Sequence, residues 1–272
     1  MDGRCNEEPG YGASLHHHST RLAVESMRLP VISFILAACV SSAVAQKSTL
    51  PENCAQCLVV LTDSWNATRG ELVAFERAEG SRWLPRGASV PVRIGRTGLA
   101  WGRGLLPDPA LPGPHKMEGD DKAPAGVFHL GTAFGYAPKT PATKMAYLPL
   151  SNNIVCVDDP ESRFYNQLVD QSRIRRPDWR SAEKMLLSDV RYKWGIVVKH
   201  NVPPQAGAGS CIFLHVWKDP QTATTGCTAM PEKAIVDLMQ WLDPARRPLL
   251  IQLPAPVYKE LRAKWDLPER VG

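Results

Sequence analysis

The stretch CIFLHVWKDPQTATTGCTAM, residues 211–230, joins an alternating apolar run to a polar loop that stops at Thr-Gly-Cys. The alternation predicts a β-strand over 211–217. It puts Cys211, Phe213 and His215 on one face and Ile212, Leu214 and Val216 on the other. If the polar loop folds back, Cys227 comes within hydrogen-bond reach of the His215 ring. Gly226 lets the backbone turn tightly and leaves room beside the sulfur. A free thiol titrates near ~8.5, and a neighbouring imidazole is the usual means of activating it. A helix expected from Pro231 would add N–H groups and the positive end of its dipole. The competing reading is a buried cysteine beside a satisfied core histidine, and spacing alone favours that one.

Outward from this stretch, short strands dominate. YKWGIVVKHN carries a continuous Ile-Val-Val and predicts a strand buried on both faces. CLVVLTDSWNATRGELVAFERAEG predicts a hairpin, with two β-rich runs around the turn-forming NATRG. VFHLGTAFGY, KMAYLPL, NIVCVDD and PLLIQLP predict further strands, and SRFYNQLVD a partly ordered crossing segment. Three segments predict helices. DWRSAEKMLL would be capped by Asp178 or Ser181. PEKAIVDLMQWLD has Pro231 in its first turn and a stripe of Ile235, Leu238, Met239 and Leu242. VYKELRAKW is terminal. The expected fold is mainly β with a few short helices (α+β), as a single domain over 46–272.

The chain has 272 residues, of which 44% are hydrophobic and 22% charged, an ordinary globular composition. Its 24 prolines are spread along the chain and suit a loop-rich β fold. The formal charge of +5 suits weak attraction to a polyanion. No compact Lys/Arg block with interleaved aromatics accompanies it, so nucleic-acid binding is not expected.

Residues 1–26, with the triple histidine at 16–18, read as an unstructured upstream extension. From Met27 the pattern changes. Arg28 is followed by an apolar run over 31–40 and by Ala43-Val44-Ala45, a small-x-small site. This predicts a signal peptide over 27–45, cut after Ala45, and hence an exported, periplasmic protein with no integral span after cleavage. LAAC at 36–39 resembles a lipobox and makes a lipoprotein anchored at Cys39 the minor alternative. Cleavage leaves Cys54, Cys57, Cys156, Cys211 and Cys227. An odd number in an oxidising compartment leaves at least one thiol unpaired. Cys54-Ala-Gln-Cys57 precedes a strand, where a redox C-x-x-C would precede a helix, and no second pair completes a zinc site. A disulfide within that pair or from it to a distant cysteine is the expectation. Cys211 is either reduced or paired with Cys156.

The stretch resembles the catalytic motif of the YkuD-type L,D-transpeptidases, in which a strand histidine precedes a Ser/Thr-His-Gly-Cys box. His215 matches the strand histidine, Thr224 the Ser/Thr, Gly226 the glycine and Cys227 the nucleophile. EGDDKAPAGVFHLGTAFGY, CVDDPESRFYNQLVD, YKWGIVVKHN and GSCIFLHVW are similar to segments of a divergent proteobacterial branch of that family. The box histidine is replaced by Thr225, the residue two after the cysteine is Ala229 rather than Arg or Asn, and the His–Cys interval is shorter. The resemblance implies a YkuD-like β-sandwich or barrel-like catalytic domain. It also implies a thioacyl-enzyme mechanism on peptidoglycan stem peptides, as donor and acceptor, with no cofactor and no metal. Cys227 would be the nucleophile, His215 the base, and N–H groups around Gly226 and Cys227 the oxyanion donors. A carboxypeptidase using the same pair and a catalytically silent wall-binding module are the alternatives. A thiol oxidoreductase using Cys54 and Cys57 is a further one. His200 is the second candidate base. Trp194, Lys199 and Arg163 are candidate substrate contacts alongside Thr224 and Thr225. The loop holding Glu118 and Asp120 is a candidate cleft wall. Oligomeric state is left open.

Overall fold

The computed structural model describes residues 49–269 apart from 79–80, 108–109 and 139–141. The segment expected to be a signal peptide, the triple histidine and Cys39 lie outside the described residues.

The predicted hairpin is present. Strand β1 (Gln56–Thr62) pairs antiparallel with β2 (Arg69–Glu76), in a register that sets Val59 opposite Val73. Every residue of β1 is buried, because its unbroken Cys-Leu-Val-Val-Leu is covered on both faces. β3 (Leu84–Arg93) continues the meander. Its exposed first residues accommodate Pro85, which cannot donate to a ladder and so suits an edge. β4 (Leu99–Trp101) runs beside the start of β5 (Ala123–Gly135), and β6 (Tyr147–Pro149) beside its end.

β5 closes the structure. It pairs with β13 (Leu249–Pro254) through residues 126–129 and with β10 (Trp194–Val198) through 130–135. From β10 the order runs through β11 (Phe213–Val216), β12 (Thr228–Met230), β3, β2, β1 and β13 back to β5. The protein is therefore mainly β, with a closed barrel-like sheet, as the strand pattern led us to expect. Closure removes the open edges that would otherwise invite pairing with another chain. A smaller sheet in the order β8-β7-β9 is built from β7 (Ile154–Val157), β8 (Gln167–Asp170) and β9 (Ala182–Lys184).

Helix α1 (Glu232–Trp241) starts after Pro231 and packs on β10 and β11. Its predicted stripe of Ile235, Leu238, Met239 and Leu242 is buried. Each such side chain contributes about 1.5–3 kcal/mol of transfer free energy. Helix α2 (Ala255–Trp265) buries Tyr258, Leu261 and Trp265 against β1 and β13.

Three expectations are corrected. DWRSAEKMLL is not a helix: residues 182–184 form β9 against β7, and Met185 is fully buried. Asp178, expected as a cap, instead accepts from the Ser162 hydroxyl at 2.6 Å. Pairing with β7 outweighs a local helical preference that was weak. Cys54 and Cys57 are free buried thiols rather than half-cystines. Ala55, between them, exchanges backbone hydrogen bonds with Arg246 and Arg77, so the segment is already strand-like and lacks the tight turn that would join its ends. Cys211 stands before β11 with φ +55°, outside the face alternation predicted for it, and is bonded to Cys156. That bridge ties the smaller sheet to the entry of β11.

Candidate active site

β11 and β12 lie parallel, with His215 opposite Ala229. Cys227 stands two residues before Ala229, so the period of two brings its side chain to the same face as Ala229 and His215. The joining loop, 217–227, is shorter than a usual parallel crossover and has no helix to shape it. It is held instead by polar contacts. The Asp219 carboxylate accepts from the backbone N–H groups of Gln221 and Thr222, each at 2.8 Å. The Thr224 N–H donates to the Ile94 carbonyl at 2.9 Å, and the Arg96 N–H donates to the Thr224 carbonyl at 2.8 Å. Thr224 then closes a local turn: its hydroxyl donates to the Cys227 carbonyl at 2.6 Å and accepts from the Gly226 N–H at 3.2 Å. Gly226 has φ +149°, and a Cβ there would lie 3.2 Å from the Lys122 carbonyl oxygen. Its place before the cysteine is thus a backbone requirement.

Cys227 is 6% exposed and His215 4%. Both line a cavity of about 100 Å³ together with Glu183, Tyr192, Thr225 and Ala229. Cys227, Glu183 and Thr225 also line a second, wider cavity of about 310 Å³, walled by Lys116, Glu118, Asp121 and Asp158. Cys227 therefore lines both the narrower pocket that holds the imidazole and the wider cleft.

The Phe213 N–H donates to Cys227 Sγ at 3.3 Å, and the thiol donates to the Cys211 carbonyl at 3.6 Å. Burial, followed by the charge of Glu183, pushes the thiol up to about 12; the Phe213 N–H, Lys116 and Tyr192 pull the other way. His215 Nδ1 is 2.7 Å from the Val216 carbonyl. A carbonyl can only accept, so Nδ1 carries a proton and, in the neutral ring, Nε2 is the base. Burial pushes the imidazole down to about 4 against the pull of that carbonyl. The resting pair is a neutral thiol and a neutral imidazole.

The cleft wall is the Glu118–Asp120 loop that the sequence offered. Lys116 is buried, with Nζ paired to Asp120 and donating to the Met117 carbonyl at 2.7 Å. Glu118 accepts from the hydroxyls of Tyr165 and Ser210 at 2.5 and 2.7 Å.

Other candidates stand away from both cavities. His200 lines neither cavity. Its Nε2 lies 2.9 Å from the Ala208 carbonyl, and its ring packs edge-on to Phe128 at 5.8 Å. Trp194 is tied to the start of α1 through Glu232 at 3.3 Å, Lys199 is exposed, and Arg163 pairs with Asp178 at the surface. None of the three lines either cavity. α1 starts at Glu232, with β12 between it and Cys227 along the chain. The Gly226 N–H is engaged by Thr224 and so is not a free oxyanion donor.

Two residues that the sequence did not single out stand at the thiol. Tyr192 packs edge-on to His215 at 5.3 Å and to Phe213 at 5.6 Å. Its hydroxyl donates to Glu183 Oε1 at 2.5 Å. Glu183 lay inside the segment expected to be helical, and Tyr192 in a run read for its apolar strand, so neither carried a local signal. Among the described residues, no group of His, Cys, Asp and Glu is arranged to hold a metal ion, and no helix is long and apolar enough to cross a membrane.

No protein-family model matches the chain, and no curated protein is significantly similar to it.

Proposed function

We infer that the protein is an exported cysteine acyltransferase acting on peptidoglycan stem peptides. One observation carries the reading: Cys227 and His215 share a face of neighbouring strands and line one cavity, and Cys227 also lines a wider cleft. The resemblance of 211–230 to the L,D-transpeptidase motif supplies the substrate class. The Cys156–Cys211 bridge supports an oxidising compartment.

In this reading the donor stem lies in the wide cleft with its L,D-peptide carbonyl at Cys227. The C–S bond forms as the thiol proton passes to His215 Nε2. Because the thiol sits near 12 and the ring near 4, the proton moves with bond formation rather than before it. The tetrahedral species collapses to a thioester, and the imidazolium returns its proton to the departing D-amino acid nitrogen. An amine of a second stem, or water, then attacks the thioester and releases Cys227 as the thiol. The amine route makes a cross-link and the water route a carboxypeptidase.

A silent wall-binding module is the second reading, and the strongly raised thiol favours it. Incubating sacculi with the protein and with Cys227→Ser, followed by muropeptide analysis, separates the readings. New cross-links or shortened stems that vanish in Cys227→Ser support the enzyme. Unchanged muropeptides with retained sacculus binding support the module.

A further inference from the structure

The loop from Trp217 to Cys227 borders two separate cavities. Lys218, Thr222, Thr224 and Thr225 line the pocket that holds His215 and Cys227. Trp217, Pro220 and Gln221 line another, of about 680 Å³, more than twice the volume of the cleft beside Cys227. That size lies within the range of about 300–1,000 Å³ usual for ligand pockets. Its other wall is one end of β1, β2 and β3, around residues 61–63, 69–71 and 91–93. Arg93 Nε donates to the Pro220 carbonyl and so ties the loop to this wall. The Arg93 backbone pairs with Ala229, which lines the His215–Cys227 pocket. Arg93 therefore links the two cavities.

The chemistry of the lining narrows the ligand. Arg69 and Arg93 are offset by Asp63 and Glu71, so the charged side chains of the cavity sum to zero. A polyanion or a small ion of either sign gains little net attraction from such a lining. The side chains of Asp63, Arg69, Glu71 and Gln221 engage no partner among the described residues. The register sets Arg69 directly opposite Arg93, an arrangement that destabilises a sheet. Four planar polar groups are thus left facing a cavity. Trp217 is partly exposed and adds an aromatic face with an N–H at its edge. β1 and β2 are paired on both sides, and β12 meets β3 at Arg93. An extended peptide therefore finds no free strand edge at this end of the sheet. Planar donors and acceptors around an aromatic face fit a neutral pyranose. Its hydroxyls and amides take the hydrogen bonds, and its C–H face stacks on the ring.

We propose that this cavity binds a neutral oligosaccharide, with Trp217 as the stacking platform and Asp63, Arg69, Glu71 and Gln221 as the hydrogen-bonding groups. The identity of the polymer rests on the acyltransferase reading above, under which it is the N-acetylated glycan strand that bears the stem peptides. A strand held there is fixed to the start of the loop that ends in Cys227.

Isothermal titration of the purified protein with tetra-N-acetylchitotetraose tests the site, because that sugar carries no peptide. The wild type should bind it saturably. Trp217→Ala should weaken binding by at least about tenfold, as loss of an aromatic anchor does. Trp217→Phe keeps a ring and should recover most of the affinity. Gln221 is an exposed loop residue, so Gln221→Ala keeps the fold; it should weaken binding by about twofold to tenfold, the net worth of one hydrogen bond. Cys227→Ser should bind the sugar as the wild type does. Sugar binding without any change in muropeptides would sink the acyltransferase and leave the glycan site standing. Cross-linking by a protein that ignores the sugar would do the reverse. No binding by the wild type, undiminished binding by either alanine variant, or tighter binding of a sulfated oligosaccharide would overturn the proposal.

Discussion

Two buried histidines flank the β10–β11 pair and invite comparison. His200 follows β10 and His215 lies in β11. Each has one ring nitrogen at a backbone carbonyl, 2.9 Å from Ala208 O and 2.7 Å from Val216 O. Burial pushes both rings to about 4. By burial and titration they are twins. Their surroundings differ. His200 is packed in: a Cβ on Gly102 or Gly209 would stand 3.0 Å from its ring nitrogens, and its Nδ1 has no partner. His215 faces a void that it shares with a thiol. A shifted titration reports desolvation, which structure and chemistry both require. The space beside the ring is what distinguishes the proposed base from a wedge in the core.

The largest expected effect tests that distinction directly. His215→Gln should slow acylation of Cys227 by a carbapenem about 10²–10⁴-fold, the usual worth of a general base. His200→Gln should leave the rate per folded molecule within about threefold. Stopped-flow fluorescence or intact mass measures both, and the reverse ranking would exchange the roles of the two rings.

Anchoring sharpens the contrast. The entry to β11 is tied covalently to β7 through Cys156–Cys211. The backbone carbonyl of His200 is held by the Asn166 amide at 2.8 Å. The double change Cys156→Ser and Cys211→Ser should cost about 2–4 kcal/mol in urea unfolding. It should lower Cys227 acylation through displacement of β11, with His200 burial retained.

Acid should act on both rings alike. Unfolded imidazoles titrate near ~6.5 and the folded ones near 4, so as pH falls the unfolded state takes up protons first. Stability is full above about pH 6.5 and is lost as pH falls towards 4, by up to about 3 kcal/mol for each ring. Calorimetric midpoints across that window should fall less steeply in either His→Gln variant. A flat wild-type profile would mean the rings are more solvated than their packing implies.

The smallest effect concerns the connecting loop. Gly226→Ala places a Cβ 3.2 Å from the Lys122 carbonyl at φ +149°. It should cost about 1–3 kcal/mol. It should also move the sulfur enough to slow acylation, while leaving the His200 environment unchanged by NMR.

Much of the fold could be read from local periodicity. The β1–β2 hairpin, the strands around 194–198 and 213–216, and the stripe of α1 follow from side-chain alternation and helical spacing, which depend on residues a few positions apart. That His215 and Cys227 line one cavity could be anticipated because a single loop separates them. Residues 178–187 were misread because β9 exists only by pairing with β7, a partner about thirty positions away. Cys54 and Cys57 were misread for a related reason: their spacing says nothing of the backbone contacts from Arg77 and Arg246 that hold the segment extended.

By itself the sequence determined the strand-rich character, the helix after Pro231 and the identities of a thiol and an imidazole close along the chain. Closure of the sheet through β5, the Cys156–Cys211 bridge and the arrival of Glu183 and Tyr192 at the cavity lined by His215 and Cys227 were decided by tertiary structure. The physical reason is range. Periodicity and turn chemistry act within a few residues. Cavities, desolvation and fields at a reactive atom are set by whichever distant segments pack around it.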